Sequence, residues 1–565
     1  MKRIIPVIVA LLLIVLIGGV YFGGKLVDKY SYGKEKADLD EYYGVTDGRL
    51  AIILQDNMVE EKALLQGDTV YFDLDTVHKY LNEGFYADYN EQKLLYTTAE
   101  GTAEAAFGQT GYKSTKGEDR QMSDAVCRLE DGVLYVAADY VRQFTNYEYT
   151  RYDRHLQVYT EWGVREVMTV SKNTQVRTRG GIKSPILREL KKGETVELLK
   201  QMDTWSLIKT SDAVVGYVEN KRLGSLSTEI ETPVTDYVEP QHVNLSLEGK
   251  LSLGWNPVWS ASLQEALAEC RTSDGGYAIN VIAPVWFSLS DNAGGFRSYA
   301  DADYVKQAHD KGLQVWGTWD NFNYAAEVEG SDVNTLEILS STSVRRKLVS
   351  DMVNTTREYG LDGINIDFES LTKDCGEHFI QFLRELSVLC QESGLFLSVA
   401  DHVPYDYNEY YRLDIQGRIV DYVIIMGYDE HWSGSGDPGS SASIGFVSEG
   451  LDRTLEKVPA EKVVNALPFY MLLWKTEGTK VTDSSVRLKG ASAYMDKAAW
   501  DEELGQYYAE WQEGDAVFRI WIENEESLRI KLNVMKAKEI GGAAVWCLGY
   551  GNSGAWELVK NYVGS

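Results

Sequence analysis

The sequence predicts a multidomain chain: an N-terminal transmembrane helix, a duplicated α+β domain, a small all-β barrel and a C-terminal (β/α)8 barrel. Three observations lead there. At 565 residues the chain exceeds what one hydrophobic core organises. Residues 4–24 carry no charge. The last stretch, about 320 residues, alternates short apolar runs with amphipathic segments, the pattern of a parallel sheet wound with helices.

Ile4–Gly24 is long enough for about one bilayer crossing. No A-x-A pattern follows it, so residues 1–24 read as an uncleaved signal anchor. Lys2 and Arg3 precede the span, while Lys25, Lys29, Lys34 and Lys36 follow it, so charge alone does not orient it. The modules downstream suggest a single-pass protein of the cell membrane whose C-terminal side is extracytoplasmic. Residues 25–44, charged and rich in Tyr, read as a stalk.

Residues 45–162 contain a repeat. Val70–Val77, Phe85–Asn90 and Lys93–Thr97 are echoed about 64 residues later by Leu134–Val141, Tyr147–Asp153 and His155–Thr160. Each copy reads as strand, short helix and hairpin. This duplicated α+β domain resembles the N-terminal domain of copper amine oxidases, but nothing in it has copper-ligand spacing. Residues 165–225 form short alternating strands between Gly and charged turns. Trp205 and the late Gly216-Tyr217-Val218 make the run similar to a bacterial SH3-type domain, which implies a holder of cell-wall peptide. Residues 226–243, with Pro233 and Pro240, read as a linker.

Within residues 244–565, eight candidate strands are Leu251–Trp255, Ala278–Trp286, Gln314–Trp319, Gly363–Phe368, Leu395–Ala400, Asp421–Met426, Val463–Pro468 and Ala543–Leu548. Helices are expected over Tyr304–Lys311, Ser343–Tyr359 and Glu377–Ser393. In such a barrel the C-terminal strand ends carry the chemistry. Along the fourth strand, Ile364, Ile366 and Phe368 face the helices, so Asn365, Asp367 and Glu369 face the interior. Two carboxylates and an amide are costly there unless used. Asp367 and Glu369 lie roughly 6.6 Å apart along the strand. One pKa is therefore expected to rise, with Glu369, at the mouth, staying protonated.

Asp362-Gly363-Ile364-Asn365-Ile366-Asp367-Phe368-Glu369 resembles the DxxDxDxE signature of glycoside hydrolase family 18, which includes chitinases and spore-cortex hydrolases. Met426-Gly427-Tyr428-Asp429 after strand six and Trp546 on the last strand fit the same family. Asn365 stands where the family's middle Asp is usual, similar to the spore-cortex-lytic branch. The resemblance implies a retaining mechanism in which the substrate's 2-acetamido group is the nucleophile. Glu369 would be the proton donor, Asp367 would orient the acetamide, Tyr428 would bond its carbonyl and Asn365 would hold Asp367. Trp546 would floor the sugar site. Met426, Asp429, Trp286, Asp401, Tyr470 and Trp474, together with Trp319 and Trp432, are further candidates for substrate contact, since they end predicted strands or follow them.

Composition narrows the partners. A net charge of -29 argues against nucleic acid and suits a neutral glycan. Five Cys without a C-x-x-C pair and seven scattered His imply no disulfide scaffold, metal or cofactor. Gly549–Gly554 fits G-x-G-x-x-G, but too little chain follows it for a dinucleotide site. The expected substrate is a β-1,4-linked N-acetylglucosamine (GlcNAc) polymer, peptidoglycan before chitin. The alternative is a non-catalytic glycan-binding surface protein.

Overall fold

The computed structural model of the chain describes residues 5–114, 117–233, 235–257, 262–322 and 333–564. Ile4, where the expected span begins, and Val234 of the expected linker lie outside them. The chain forms two compact units. One comprises Met1–Phe85, Ala105–Tyr112 and Asp119–Glu239; the other comprises Tyr86–Glu104, Lys113–Glu118 and Pro240–Ser565.

In the first unit an apolar helix runs over Ile5–Tyr30. From Ile8 onward its mean hydropathy is 2.2, and it is long and apolar enough to cross a bilayer. The segment expected as a stalk is paired. Gly33 and Ala37 donate to the Ile182 and Ile186 carbonyls at 2.7 and 2.9 Å, and Ile186 donates back to Glu35 at 2.8 Å. These residues extend the edge of the small barrel. Two copies of strand, helix and hairpin follow along the chain, the first copy's hairpin falling almost wholly in the second unit: Thr69–Asp73, Leu74–Tyr80, Phe85–Asp88 and Lys93–Thr98, then Val133–Ala137, Ala138–Val141, Glu148–Arg151 and His155–Tyr159. The SH3-like domain is one seven-stranded antiparallel sheet within Val164–Ile230. It closes on Val176, Val196, Ile208 and Val218.

The second unit is built on eight parallel strands: β1 (Leu251–Pro257), β2 (Val281–Leu289), β3 (Gln314–Asp320), β4 (Gly363–Asp367), β5 (Phe396–His402), β6 (Tyr422–Met426), β7 (Val463–Pro468) and β8 (Gly542–Trp546). Each pairs with its sequence neighbour, and β1 pairs with both β2 and β8, closing the barrel. All eight expected strands are present, each displaced by a few residues at most. The helices Ala302–His309, Thr342–Glu358 and Gly376–Ser393 also fall where expected. Their apolar stripes pack on the outward side chains of the strands; Phe368, just beyond β4, stacks on Phe382 at 5.5 Å between ring centroids. Between β7 and β8 lies a five-stranded antiparallel sheet, from Tyr470–Glu477 to Ala516–Ile522, with its own core of Met471, Ala509, Ile520 and Ile522.

Tyr86–Glu104, which repeat logic assigns to the duplicated domain, groups with the barrel. Asp88 accepts from Thr342 N and Oγ1 at 2.7 and 2.6 Å, and Glu91 accepts from Ser343 N at 2.6 Å. Two carboxylates thus cap the positive end of the helix Thr342–Glu358. Arg345, fully buried, forks onto both Glu385 oxygens at 3.0 Å and lies over the Tyr86 ring at 4.8 Å.

Candidate active site

The site grows from β4. Gly363 opens the strand where nothing larger fits, since a Cβ would come within 2.8 Å of Phe396 Cβ. Two residues on, Asn365 points into the barrel and is fully buried. Its Oδ1 accepts from Trp255 Nε1 at 2.9 Å and Thr318 Oγ1 at 3.2 Å, and its Nδ2 donates to Ser398 Oγ at 3.0 Å. Asn365 therefore sits one layer below the site and braces Trp255; the expectation that it holds Asp367 is corrected. Strand alternation is the reason: residues 365 and 367 share a face but lie two pleats apart.

Asp367 and Glu369 both line a cavity of about 290 Å³ at the C-terminal end of the barrel. Asn321 fixes the backbone of Glu369, accepting from its N–H at 3.0 Å and donating to its carbonyl at 2.9 Å. Met426, Tyr428 and Asp429 enter the cavity from the end of β6. Gly427 permits this turn, because a Cβ there would meet the Asn465 amide at 2.5 Å. Tyr470 enters from the start of the inserted sheet and donates its hydroxyl to Asp429. Trp546, from β8, lies against Trp255 at 6.0 Å between ring centroids, so Asn365, Trp255 and Trp546 form one supported wall.

The electrostatics follow from crowding acids in a dry site. Burial, then Asp429 and Asp320, pushes the Glu369 carboxyl from 4.5 up to about 7. Asp367 is raised well above its ordinary value by burial, then by Glu369, Asp320 and Asp401. The expected rise of one carboxyl is thus a rise of both, because burial raises each and the neighbouring carboxylates add to it. Asp367 lines the cavity, while its Oδ1 is buried without a hydrogen-bond partner among the described residues. Among the described residues there is no cluster of three or more His, Cys, Asp or Glu suited to a metal ion.

Four binding candidates fall elsewhere. Trp286 is buried edge-on to Tyr304. Trp474 is buried in the inserted sheet and donates to the Gly439 carbonyl at 2.9 Å. Trp319 stacks on Phe287 in the core. Asp401 faces the helix layer: in β5, Ser398 meets Asn365 inside, so Ala400 and His402 share that face and Asp401 the opposite one. Burial pushes the Asp401 carboxyl up to about 7, against an opposing pull from Gln416. Missed by sequence reasoning were Trp255, Asn321 and Asp320, the last held by Ser288 Oγ at 2.5 Å. Asp320 ends a barrel strand, a position that flags it in retrospect.

Residues 291–551 match the model for glycosyl hydrolases family 18, and residues 172–224 match the bacterial SH3 domain. The cortical fragment-lytic enzyme of Bacillus anthracis is 28% identical over 257 residues, 43% of this chain and 58% of that protein. The uncharacterized glycosylase YvbX of Bacillus subtilis is 25% identical over 296 residues, 50% of this chain and 84% of that protein. A chitinase from Chromobacterium violaceum superposes with a TM-score of 0.49 at 21% identity, over 56% of this chain and 99% of the other.

Proposed function

The C-terminal domain belongs to glycosyl hydrolase family 18, and on that footing we propose that the chain is a membrane-anchored, extracytoplasmic hydrolase of β-1,4-linked GlcNAc polymers. Its mechanism is retaining and substrate-assisted. The observation that carries this is one cavity holding Glu369, Asp367, Tyr428 and Trp546 together, with burial raising the Glu369 carboxyl to about 7.

The chemistry runs in two steps. Glu369 gives its proton to the glycosidic oxygen as the carbonyl oxygen of the 2-acetamido group closes on C1 and the C1–O bond breaks. Asp367, as the carboxylate, accepts from the acetamido N–H and balances the positive charge of the cyclic intermediate, a charge that favours its ionised form against the effect of burial. Tyr428 donates to the acetamido oxygen, and Trp546 floors the ring. Water then attacks C1 and returns a proton to Glu369. A sugar without the acetamide lacks the nucleophile, so the glycon must be GlcNAc-like.

Peptidoglycan is favoured over chitin by three features: the apolar N-terminal helix, the bacterial SH3 domain, which would hold cell-wall peptide, and a relative described as lytic toward cortical fragments. Mass analysis of purified peptidoglycan digests tests this. New GlcNAc reducing ends with the wild type, absent with Glu369→Gln, are expected. Binding without release by either form refutes hydrolysis, and reducing ends solely at N-acetylmuramic acid refute the bond assignment.

A further inference from the structure

Glu369 divides two cavities. Beyond the first lies a second of about 420 Å³, which among the described residues shares Glu369 and Asp429 with it. Its mouth carries Tyr407 and Trp432, 75% and 57% exposed, in position to meet a second sugar. An acid between a glycon site and this second site has its proton to deliver on the second side. His402 lines that side. It ends β5 on the inward face, and its Nε2 lies 3.5 Å from Glu369 Oε2. Tyr411 packs edge-on against the imidazole at 6.4 Å. The Tyr411 hydroxyl accepts from Leu371 N at 3.3 Å and donates to Phe368 O at 3.5 Å, so one ring braces His402 and the backbone on both sides of Glu369.

We infer that His402 is a positioning residue that aims the Glu369 proton toward the leaving sugar in the second cavity. The inference rests on the glycosidase reading of the site. Burial keeps His402 below its ordinary basicity while Glu369 is raised, so a proton shared between them favours the carboxyl over the imidazole. Apart from tyrosines, the ionisable groups lining this second cavity among the described residues are Glu369, Asp429 and His402. From the first cavity Asp320, Asp367, Tyr428 and Tyr470 also face Glu369. The proton leaves Glu369 for the glycosidic oxygen and is replaced from water. His402 takes no net proton; it holds the carboxyl's orientation through both steps.

A positioning role depends on how much the leaving group needs the acid. In the full chain, wild type, His402→Leu and His402→Gln are compared on a chitin tetrasaccharide and on a 4-nitrophenyl chitobioside, whose phenolate departs with little help. For His402→Leu the expected loss in kcat/KM is about 10–100-fold on the tetrasaccharide and about threefold on the nitrophenyl substrate, with His402→Gln between. Equal losses on both substrates overturn the inference, since a merely structural defect does not discriminate. NMR titration of the His402 imidazole in wild type and Glu369→Gln gives a second readout independent of turnover. A midpoint shift of about 0.5 pH unit or more is expected; no shift refutes the pairing. A wild type inert on both substrates and on purified peptidoglycan sinks the glycosidase reading, while the titration still decides whether His402 and Glu369 are linked.

Discussion

Replacing Glu369 by Gln keeps the side chain's shape and removes its ionisation, so two consequences separate cleanly. The first is catalytic: loss of the acid costs about 10²–10⁴ in kcat on a sugar leaving group. The second is a change in how stability depends on pH. Folding raises the Glu369 carboxyl from 4.5 to about 7, so the folded chain binds this proton more tightly than the unfolded one. The resulting stabilisation is fully present below pH 4.5, is lost as pH rises through about 7, and is gone above it. The span corresponds to about 3 kcal/mol as a ceiling. The side chain is 26% exposed, which keeps solvent screening modest. At about 2.1 cal/mol/K per residue over roughly 320 residues, that is about 4–5 °C in Tm. Thermal unfolding followed by Trp fluorescence suits the barrel, because twelve of the 14 Trp lie beyond residue 250. Between pH 5 and pH 8 the wild type should lose up to about 4 °C more than Glu369→Gln. Asp367 and Asp401 are raised in the same direction and leave a residual slope in both proteins. Parallel pH dependences would refute the reasoning that Glu369 is a buried, protonated acid.

The rate profile should follow the same group: kcat/KM on GlcNAc oligosaccharides declines as pH rises through about 7, checked by initial rates at constant ionic strength. Trp546→Ala should raise KM about tenfold by removing the sugar floor, whereas Trp474→Ala should cost about 3–5 kcal/mol of stability and leave KM within about twofold; kinetics and denaturation read side by side distinguish them. Asn365→Asp keeps acceptors for Trp255 and Thr318 but loses the Nδ2 donor and buries a carboxyl below Asp367. It should destabilise the barrel, more at pH 8 than at pH 5, by about 1–3 kcal/mol in denaturant titration. Arg345→Ala strands Glu385 in the core and should cost about 3–5 kcal/mol with the active-site acids untouched.

What the sequence by itself determined was the barrel and the core of its site. Eight apolar runs at strand length, separated by amphipathic helices, admit few arrangements other than a closed parallel sheet. Period-two alternation along β4 then placed Asp367 and Glu369 inward at the C-terminal end of the barrel, and the turn after β6 and the end of β8 supplied Tyr428, Asp429 and Trp546 to the same cavity. What only the tertiary structure decided was which residues from other strands meet them. Asp401 and His402 are adjacent in the chain, and the register against β4 sends one to the helix layer and the other to Glu369. Trp286 and Trp474 sit near strand ends as Trp546 does, yet both are consumed by packing. Asn365 proved to brace Trp255, a residue 110 positions away. Such partners depend on the closure of β1 against β8 and on strand stagger, which no local pattern encodes.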